Sequence, residues 1–585
     1  MRSAAVWLAL GLVCTTPLGG SAATAPLHTK PCNVGKTAAI CGTLTVHEDR
    51  ANATGRTIAL HFIVLRAVHP SHRALAFNPG GPGGSAIDAA PVFTDGPFSV
   101  LRDRHDIVLV DNRGTGASAP QQCDFAPPDQ PASYFMQLWP DALVQRCRDR
   151  LAAHADLSQY ASPVAADDLD DVRAALGYDK LALFGGSYGT RFALVYARQH
   201  PDRVESLLLL GVAPPHYYVL PLPMAAGAQA SINELFTACR AEAACAKAFP
   251  SLREHFAALV RRFDTGPVPV PLQSPAHRGQ TVRLSKEVFA EAIRHALYGD
   301  DGVLVPAIVE RAYHGNYAAL SALADQMVQQ FAGEQATGLN LSVTCAEDIP
   351  FITEDAVVRT SANSFEGDAR VRAQQRACRI WNVHPVPASF IEPVASDLPV
   401  FMISGDNDPA TPPSYAKEAL ANLPHARMML VRGASHQTDY PPCVYAAAAA
   451  FLRSPTAAQP NLAGCAAAYR RPSIATLTYF DSAPGENPAM TARSRTFFTR
   501  LMSGRLDRSQ LTPKMSKDYS AAVLSQIASE ISSGGPMESF VYRGSRRSGK
   551  GTAYRYLAHL VRATAIVTIT LDSAGKTADL DISPI

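Results

Sequence analysis

One stretch of this chain, Phe184-Gly185-Gly186-Ser187-Tyr188-Gly189-Thr190, constrains its fold more than any other. An apolar run, Leu181-Ala182-Leu183-Phe184, leads into it, and a helix-like segment at 191–200 follows. Strand, Gly-x-Ser-x-Gly, helix is the layout of a nucleophile elbow. The turn is so tight that its serine takes a strained backbone conformation. Small residues at Gly185 and Gly189 let strand and helix approach each other. The Ser187 hydroxyl is then exposed at the carboxyl end of a sheet, with a helix N-terminus beneath it, and is the expected nucleophile.

Short apolar runs alternate with helix-like segments, the signature of an α/β sheet. Strands are expected at 42–46, 58–65, 74–77, 107–110, 181–184, 206–210, 400–403 and 428–431. The stretch between Gly211 and Pro399 is far too long for a loop. Helix-like patterns at 231–248, 252–263, 286–298, 304–314 and 317–331 mark it as an inserted, mostly helical cap. Such caps exclude water and shape a substrate pocket. After Cys465 the pattern changes, and Arg470-Arg471-Pro472 begins a boundary. Helices at 492–502 and 516–532, then strands at 538–542, 553–560, 563–571 and 577–582, describe a small C-terminal α+β domain with no catalytic constellation. At 585 residues the chain is too long for one ordinary core. Its expected parts are an export signal at 1–23, an α/β core at 24–211 and 399–470, the cap at 212–398 and the appendage at 485–585.

Arg2, an apolar run at 4–13 and small residues at 20–23 have the form of an export signal, cleaved after Ala22 or Ala23. No other stretch reads as a membrane span. Of the 11 cysteines, Cys14 falls within that signal. The ten others lie in near neighbours: Cys32 and Cys41, Cys123 and Cys147, Cys239 and Cys245, Cys345 and Cys378, Cys443 and Cys465. An exported chain meets an oxidising compartment, so disulfides are expected, and neighbour pairing is the simplest connectivity. A net charge of +2 gives no reason to expect nucleic acid or an acidic membrane surface as partner.

Hydrolysis through serine needs a base and an acid that orients it. Downstream of Ser187, the acid is expected in Ser404-Gly405-Asp406-Asn407-Asp408-Pro409 and the base in Gly433-Ala434-Ser435-His436, each just after a strand. Chain order Ser, Asp, His and a shared sheet edge favour Ser187, Asp408 and His436. Asp406 and Asp439 are competing acids. The tetrahedral intermediate needs two backbone N–H donors. Tyr188 at the start of the elbow helix supplies one, and Gly81 in Asn78-Pro79-Gly80-Gly81-Pro82-Gly83-Gly84 supplies the other, with Gly80 next in line. This chemistry requires no cofactor and no metal.

The Gly-Gly-Pro-Gly loop resembles that of prolyl aminopeptidases and tripeptidyl aminopeptidases, exopeptidases of the α/β-hydrolase fold. So do Asp111-Asn112-Arg113-Gly114-Thr115-Gly116, the Ala166-Asp167-Asp168-Leu169 segment, the elbow itself and Asp408-Pro409-Ala410-Thr411-Pro412. Prolyl aminopeptidases carry His directly before Gly-Gly-Pro-Gly; Pro79 stands there instead, as in the exported tripeptidyl branch. The resemblance implies an α/β-hydrolase sheet with a helical cap, and peptide substrates with a free N-terminus. It also implies cap carboxylates that hold the substrate amine, with Glu347 and Asp348 of Cys345-Ala346-Glu347-Asp348-Ile349-Pro350 as candidates. A carboxylesterase or lipase-like hydrolase would use the same triad, and a non-catalytic binding protein would not need it. Oligomeric state is not legible in the sequence.

Overall fold

A computed structural model describes residues 27–216, 222–272, 277, 280–438, 440–457, 462–476, 485–532, 534–548, 551–560 and 564–584. The expected export signal, Cys14 and Asp439 lie outside them. The main sheet contains β1 (Leu27–Val34), β2 (Thr37–His47), β3 (Thr57–Leu65), β4 (Arg73–Asn78), β5 (His105–Val110), β6 (Leu181–Gly186) and β7 (Val204–Leu210). A small hairpin, β8 (Val268–Pro271) and β9 (Thr281–Leu284), stands apart, and β10 (Val400–Gly405) and β11 (Ala426–Val431) complete the main sheet. Its nine strands run in the order β1-β2-β3-β5-β4-β6-β7-β10-β11. The first three strands and β5 pair antiparallel; from β5 onward the neighbours are parallel.

Helices cover both faces, so the central strands are apolar on both sides. Alternate residues divide between two cores. Ala76, Val108, Leu183, Leu209 and Met402 pack on one face, and Leu75, Leu109, Phe184, Leu208 and Phe401 on the other. β1 was not expected from sequence. It is mostly exposed and has no apolar run, and it is held to β2 by eight residue pairs and the Cys32–Cys41 disulfide. The other four disulfides also join near neighbours: Cys123–Cys147, Cys239–Cys245, Cys345–Cys378 and Cys443–Cys465.

Between β7 and β10 the chain is mostly helical. The expected helix at 231–248 is two helices, Met224–Ala241 and Ala243–Ala248, because Glu242 between them adopts an extended conformation. The β8–β9 hairpin was also unexpected: Pro269 and Pro271 hide so short a strand from any period-2 reading. Ala126, Tyr134 and Phe135, from the excursion between β5 and β6, share a hydrophobic cluster with these helices. The C-terminal unit packs Phe497, Phe498 and Leu501 of helix Pro488–Met502 against an antiparallel meander. That meander is β12 (Met537–Ser548), β13 (Gly551–Leu560), β14 (Thr564–Leu571) and β15 (Thr577–Pro584). The helix expected at 516–532 is again two, Pro513–Asp518 and Ala521–Ser532. Among the described residues no helix is long and apolar enough to cross a membrane.

The elbow depends on missing side chains. A Cβ on Gly189 would lie 1.9 Å from the Asn78 carbonyl oxygen, and one on Gly185 2.3 Å from the Gly189 carbonyl oxygen. All of these obstacles are backbone, which cannot turn aside as a side chain can. Gly189→Ala should therefore lower Tm by roughly 5 °C or more. A thermal melt that matches wild type would show that β4 and the elbow helix separate without cost.

Candidate active site

Ser187 follows β6 with φ 55° and ψ −124°, a left-handed-side conformation unusual for serine. Its own N–H donates to the Leu210 carbonyl at 2.8 Å, which fixes the turn against β7. The Ser187 hydroxyl lies 3.0 Å from His436 Nε2, and His436 Nδ1 lies 2.8 Å from Asp408 Oδ2. His436 follows β11 and Asp408 follows β10, so the three side chains converge from three parallel strand ends.

Asp408 is nearly inaccessible, and its carboxylate is fully occupied. Oδ1 accepts from Ala410 N–H at 2.8 Å and Thr411 N–H at 2.7 Å; Oδ2 accepts from the Thr411 hydroxyl at 2.7 Å as well as from His436. Burial alone would raise this carboxyl, but His436 and the Thr411 donors outweigh it and hold Asp408 below its ordinary value. Asp406 is exposed and accepts from Gly433 N–H at 2.5 Å, so it ties the aspartate loop to the histidine loop. Thr411 had drawn no notice beyond its place in the motif. Its hydroxyl also lies 3.1 Å from His436 Nδ1, and only the folded loop brings it there.

The glycine-rich loop after β4 reaches the nucleophile. A Cβ on Gly80 would stand 3.0 Å from Ser187 Cβ, and Gly81, with φ +121°, follows at once. Tyr188 N–H opens the elbow helix and has no carbonyl one turn earlier to accept it. The loop is braced from two sides. Asp111 accepts from the Ser85 hydroxyl at 2.7 Å and from Ile87 N–H, while Asn340 of the inserted helix Thr337–Glu347 donates to the Pro82 carbonyl at 3.1 Å.

The insertion also touches the histidine. The Tyr298 ring centroid is 5.0 Å from that of His436, and Gln437 N–H donates to the Tyr298 carbonyl at 2.5 Å. Behind Tyr298 lies a buried charge cluster that sequence reading missed. Arg294 donates to the Tyr298 hydroxyl and to Glu291, and Arg370 donates to Glu291 at 2.7 Å. Glu366, 1% exposed, has Arg294 Nε at 3.5 Å, but neither of its oxygens accepts a hydrogen bond among the described residues. Burial raises Glu366 to about 8, while Arg294 and Arg370 overcome the same burial and lower Glu291.

Glu347 and Asp348 sit elsewhere, at the foot of the elbow helix. Glu347 accepts from Ser162 N–H at 2.5 Å and pairs with Arg191 at 3.5 Å; Asp348 pairs with Arg191 at 2.9 Å. Ser162 in turn hydrogen-bonds the Tyr188 hydroxyl at 2.6 Å. Burial raises Glu347 to about 7 despite Arg191.

Two family models match the chain, one described as alpha/beta hydrolase fold at residues 73–237 and one as TAP-like protein at 363–463. Serine protease Hip1 of Mycobacterium tuberculosis is 26% identical over 501 residues, which span 74% of this chain and 92% of that protein. The tripeptidyl aminopeptidase of Streptomyces coelicolor is 32% identical over 194 residues, 30% of this chain and 35% of that one. A proline iminopeptidase of Xylella fastidiosa is 28% identical over 144 residues, 25% and 34% of the two chains.

Two measurements probe this geometry. Thr411→Val removes one charge-assisted donor from Asp408 and should lower kcat/KM by about 10- to 100-fold, with Thr411→Ser restoring most of it; equal loss in both variants would assign Thr411 to packing. Glu366 binds a proton in the folded chain between its ordinary 4.5 and about 8, where the unfolded chain has released it. Wild-type stability should therefore fall as pH rises through that window. Tm recorded from about pH 5 to pH 8 should change less in Glu366→Gln, and parallel curves would contradict the shifted carboxyl.

Proposed function

Taking as premise that the chain is a serine hydrolase of the α/β-hydrolase fold, we propose that it is an exported exopeptidase. It releases short units, from a single residue to a tripeptide, from peptide N-termini. The continuous hydrogen-bond chain from Ser187 through His436 to Asp408, at 3.0 and 2.8 Å, carries the hydrolytic part of the reading, and the likeness to serine protease Hip1 and tripeptidyl aminopeptidase supports the peptidase part. Ser187 attacks the scissile carbonyl while His436 takes its proton, and His436 then gives that proton to the leaving amine. Asp408 holds the imidazole tautomer and stabilises the imidazolium. The N–H groups of Tyr188 and Gly81 receive the oxyanion, and water entering through His436 frees the acyl group.

An aminopeptidase must also hold an ammonium. Glu347 and Asp348 are already engaged by Ser162 and Arg191. Neither oxygen of Glu366 has a hydrogen-bond partner among the described residues, and it belongs to the cluster that touches Tyr298 and, through it, His436. We assign the amine to Glu366, with Glu347 and Asp348 bracing the elbow helix. The similarity to tripeptidyl aminopeptidase and proline iminopeptidase agrees with peptide substrates. Five disulfides suit a secreted or periplasmic site of action. The catalytic core is assigned to 24–211 and 399–470, the cap to 212–398 and the appendage to 485–585, with 1–23 as export signal.

Ser187→Ala should abolish hydrolysis and leave the melting curve intact; near-normal turnover would end the serine mechanism. Glu366→Gln should raise KM for free-amine peptides about tenfold or more while kcat changes less. Equal wild-type rates on N-acetylated peptides, free peptides and simple esters would instead establish a carboxylesterase.

A further inference from the structure

Beside the charge cluster, the inserted helices and the excursion between β5 and β6 line a small cavity of about 40 Å³. Phe125, Leu138, Trp139, Val328 and Phe331 form its apolar walls, and Arg370 stands at its charged end. No residue of the triad or the oxyanion loop lines this space, but contacts from its walls lead toward both. Thr337 lines it, and the preceding Ala336 donates its N–H to the Gly83 carbonyl at 2.9 Å, so one wall continues into the oxyanion loop. Phe331 packs 5.6 Å from the ring of His295, which lies 5.1 Å from that of Tyr298, the neighbour of His436. The other wall thus continues to the catalytic base.

Two polar groups of the cluster, Arg370 on the cavity wall and Glu366 behind it, have atoms without a hydrogen-bond partner among the described residues. Arg370, 8% exposed, stacks over Trp139 at 4.6 Å and bonds Glu291, but its Nε donates to nothing among the described residues. Glu366 shares Arg294 with Glu291, and its oxygens have no hydrogen-bond partner among the described residues. An amino acid's nitrogen and its Cβ hang from one Cα, about 2.5 Å apart. Glu291, on the cavity wall, shares Arg294 with Glu366, so an ammonium held at this cluster can direct its own side chain toward the apolar cavity.

We propose that this cavity is the subsite for the side chain of the substrate's N-terminal residue, and that it selects a small branched aliphatic group. The inference rests on the aminopeptidase reading and on the amine lying at Glu366. Phe125, Leu138, Trp139, Val328 and Phe331 bury a few carbon atoms and offer a hydroxyl or carboxylate no partner, so a polar N-terminal residue loses its hydration without return once the peptide's first carbonyl occupies Arg370. The unpartnered Arg370 N–H suits the first carbonyl of the same peptide. Ala126 and Val328, both on the cavity wall, set its size.

The test uses the full chain and free-amine peptide amides that differ only at the N-terminal residue: alanine, valine, leucine, serine and aspartate. Wild type should show kcat/KM for valine and leucine at least about tenfold above serine and aspartate. Ala126→Val narrows the cavity and should lower the leucine-to-alanine ratio several-fold; Val328→Ala widens it and should raise that ratio. A ratio taken within one variant cancels any loss of folded enzyme, so a poorly folding variant still reports. Serine or aspartate peptides cleaved as fast as leucine peptides, or ratios unmoved in both variants, would overturn the subsite. N-acetylated counterparts test the amine separately: their equal cleavage overturns the aminopeptidase premise, whatever the side-chain ratios do.

Discussion

Three backbone segments meet at one point with no side chain between them, and the site is built around that contact. Gly189 of the elbow helix rests on the carbonyl of Asn78, and Gly185 of β6 rests on the first turn of the same helix. The nucleophile, the first N–H of the helix and the glycine loop after β4 are brought within reach of one substrate atom because nothing larger than hydrogen intervenes. Ser187 accepts a positive φ as part of the same arrangement. The strain is sustained by the β6–β7 ladder on one side and by the elbow helix, buried from Tyr188 to Ala197, on the other.

Around this contact, buried polar groups hold the loops rather than the sheet. Arg113, fully buried, grips Asp168 with two nitrogens at 2.6 and 2.8 Å and also donates to the carbonyls of Glu48 and Gln159. It thereby joins the loop after β5, the helix before the elbow and the loop after β2. Asp111, two residues earlier, braces the glycine loop. Breaking one partner of such a pair leaves a charge stranded without water, which costs more than the intact pair contributes. These contacts act as local specifiers of geometry, and they explain why the Asp-Asn-Arg-Gly segment belongs with the catalytic machinery although none of its side chains meets Ser187.

The sheet and the triad were legible because each depends on local signals. Every strand from β2 to β7, and β10 and β11, carries an apolar run, and Ser187, Asp408 and His436 each follow one. The disulfides were legible for a related reason: near neighbours close short loops, and nothing in the fold overrides that. β1 escaped because its partner, not its own hydrophobicity, makes it a strand. Glu242 breaks a helix whose apolar periodicity continues on both sides. Thr411 could be seen as part of a motif, but its double role at Asp408 and His436 exists only in the folded loop. Glu291 and Glu366 lie far apart in sequence on separate helices, and no spacing rule links them. The carry-over to Glu347 and Asp348 followed a sequence likeness, while the structure places those acids under the elbow helix with Arg191.

The seam between the insertion and the histidine loop is narrow and specific. The Ser435 hydroxyl donates to the Leu297 carbonyl, Gln437 N–H donates to the Tyr298 carbonyl, and a Cβ on Gly299 would stand 3.1 Å from the Gln437 carbonyl oxygen. These two hydrogen bonds mean that the insertion is not a detachable cassette. A chimera that imported another insertion to change substrate choice would have to keep the Leu297-Tyr298-Gly299 junction, or it would unseat the base while exchanging the pocket. Evolutionary change in this chain meets the same linkage: the part freest to vary in what it admits is sutured to the part least free to move.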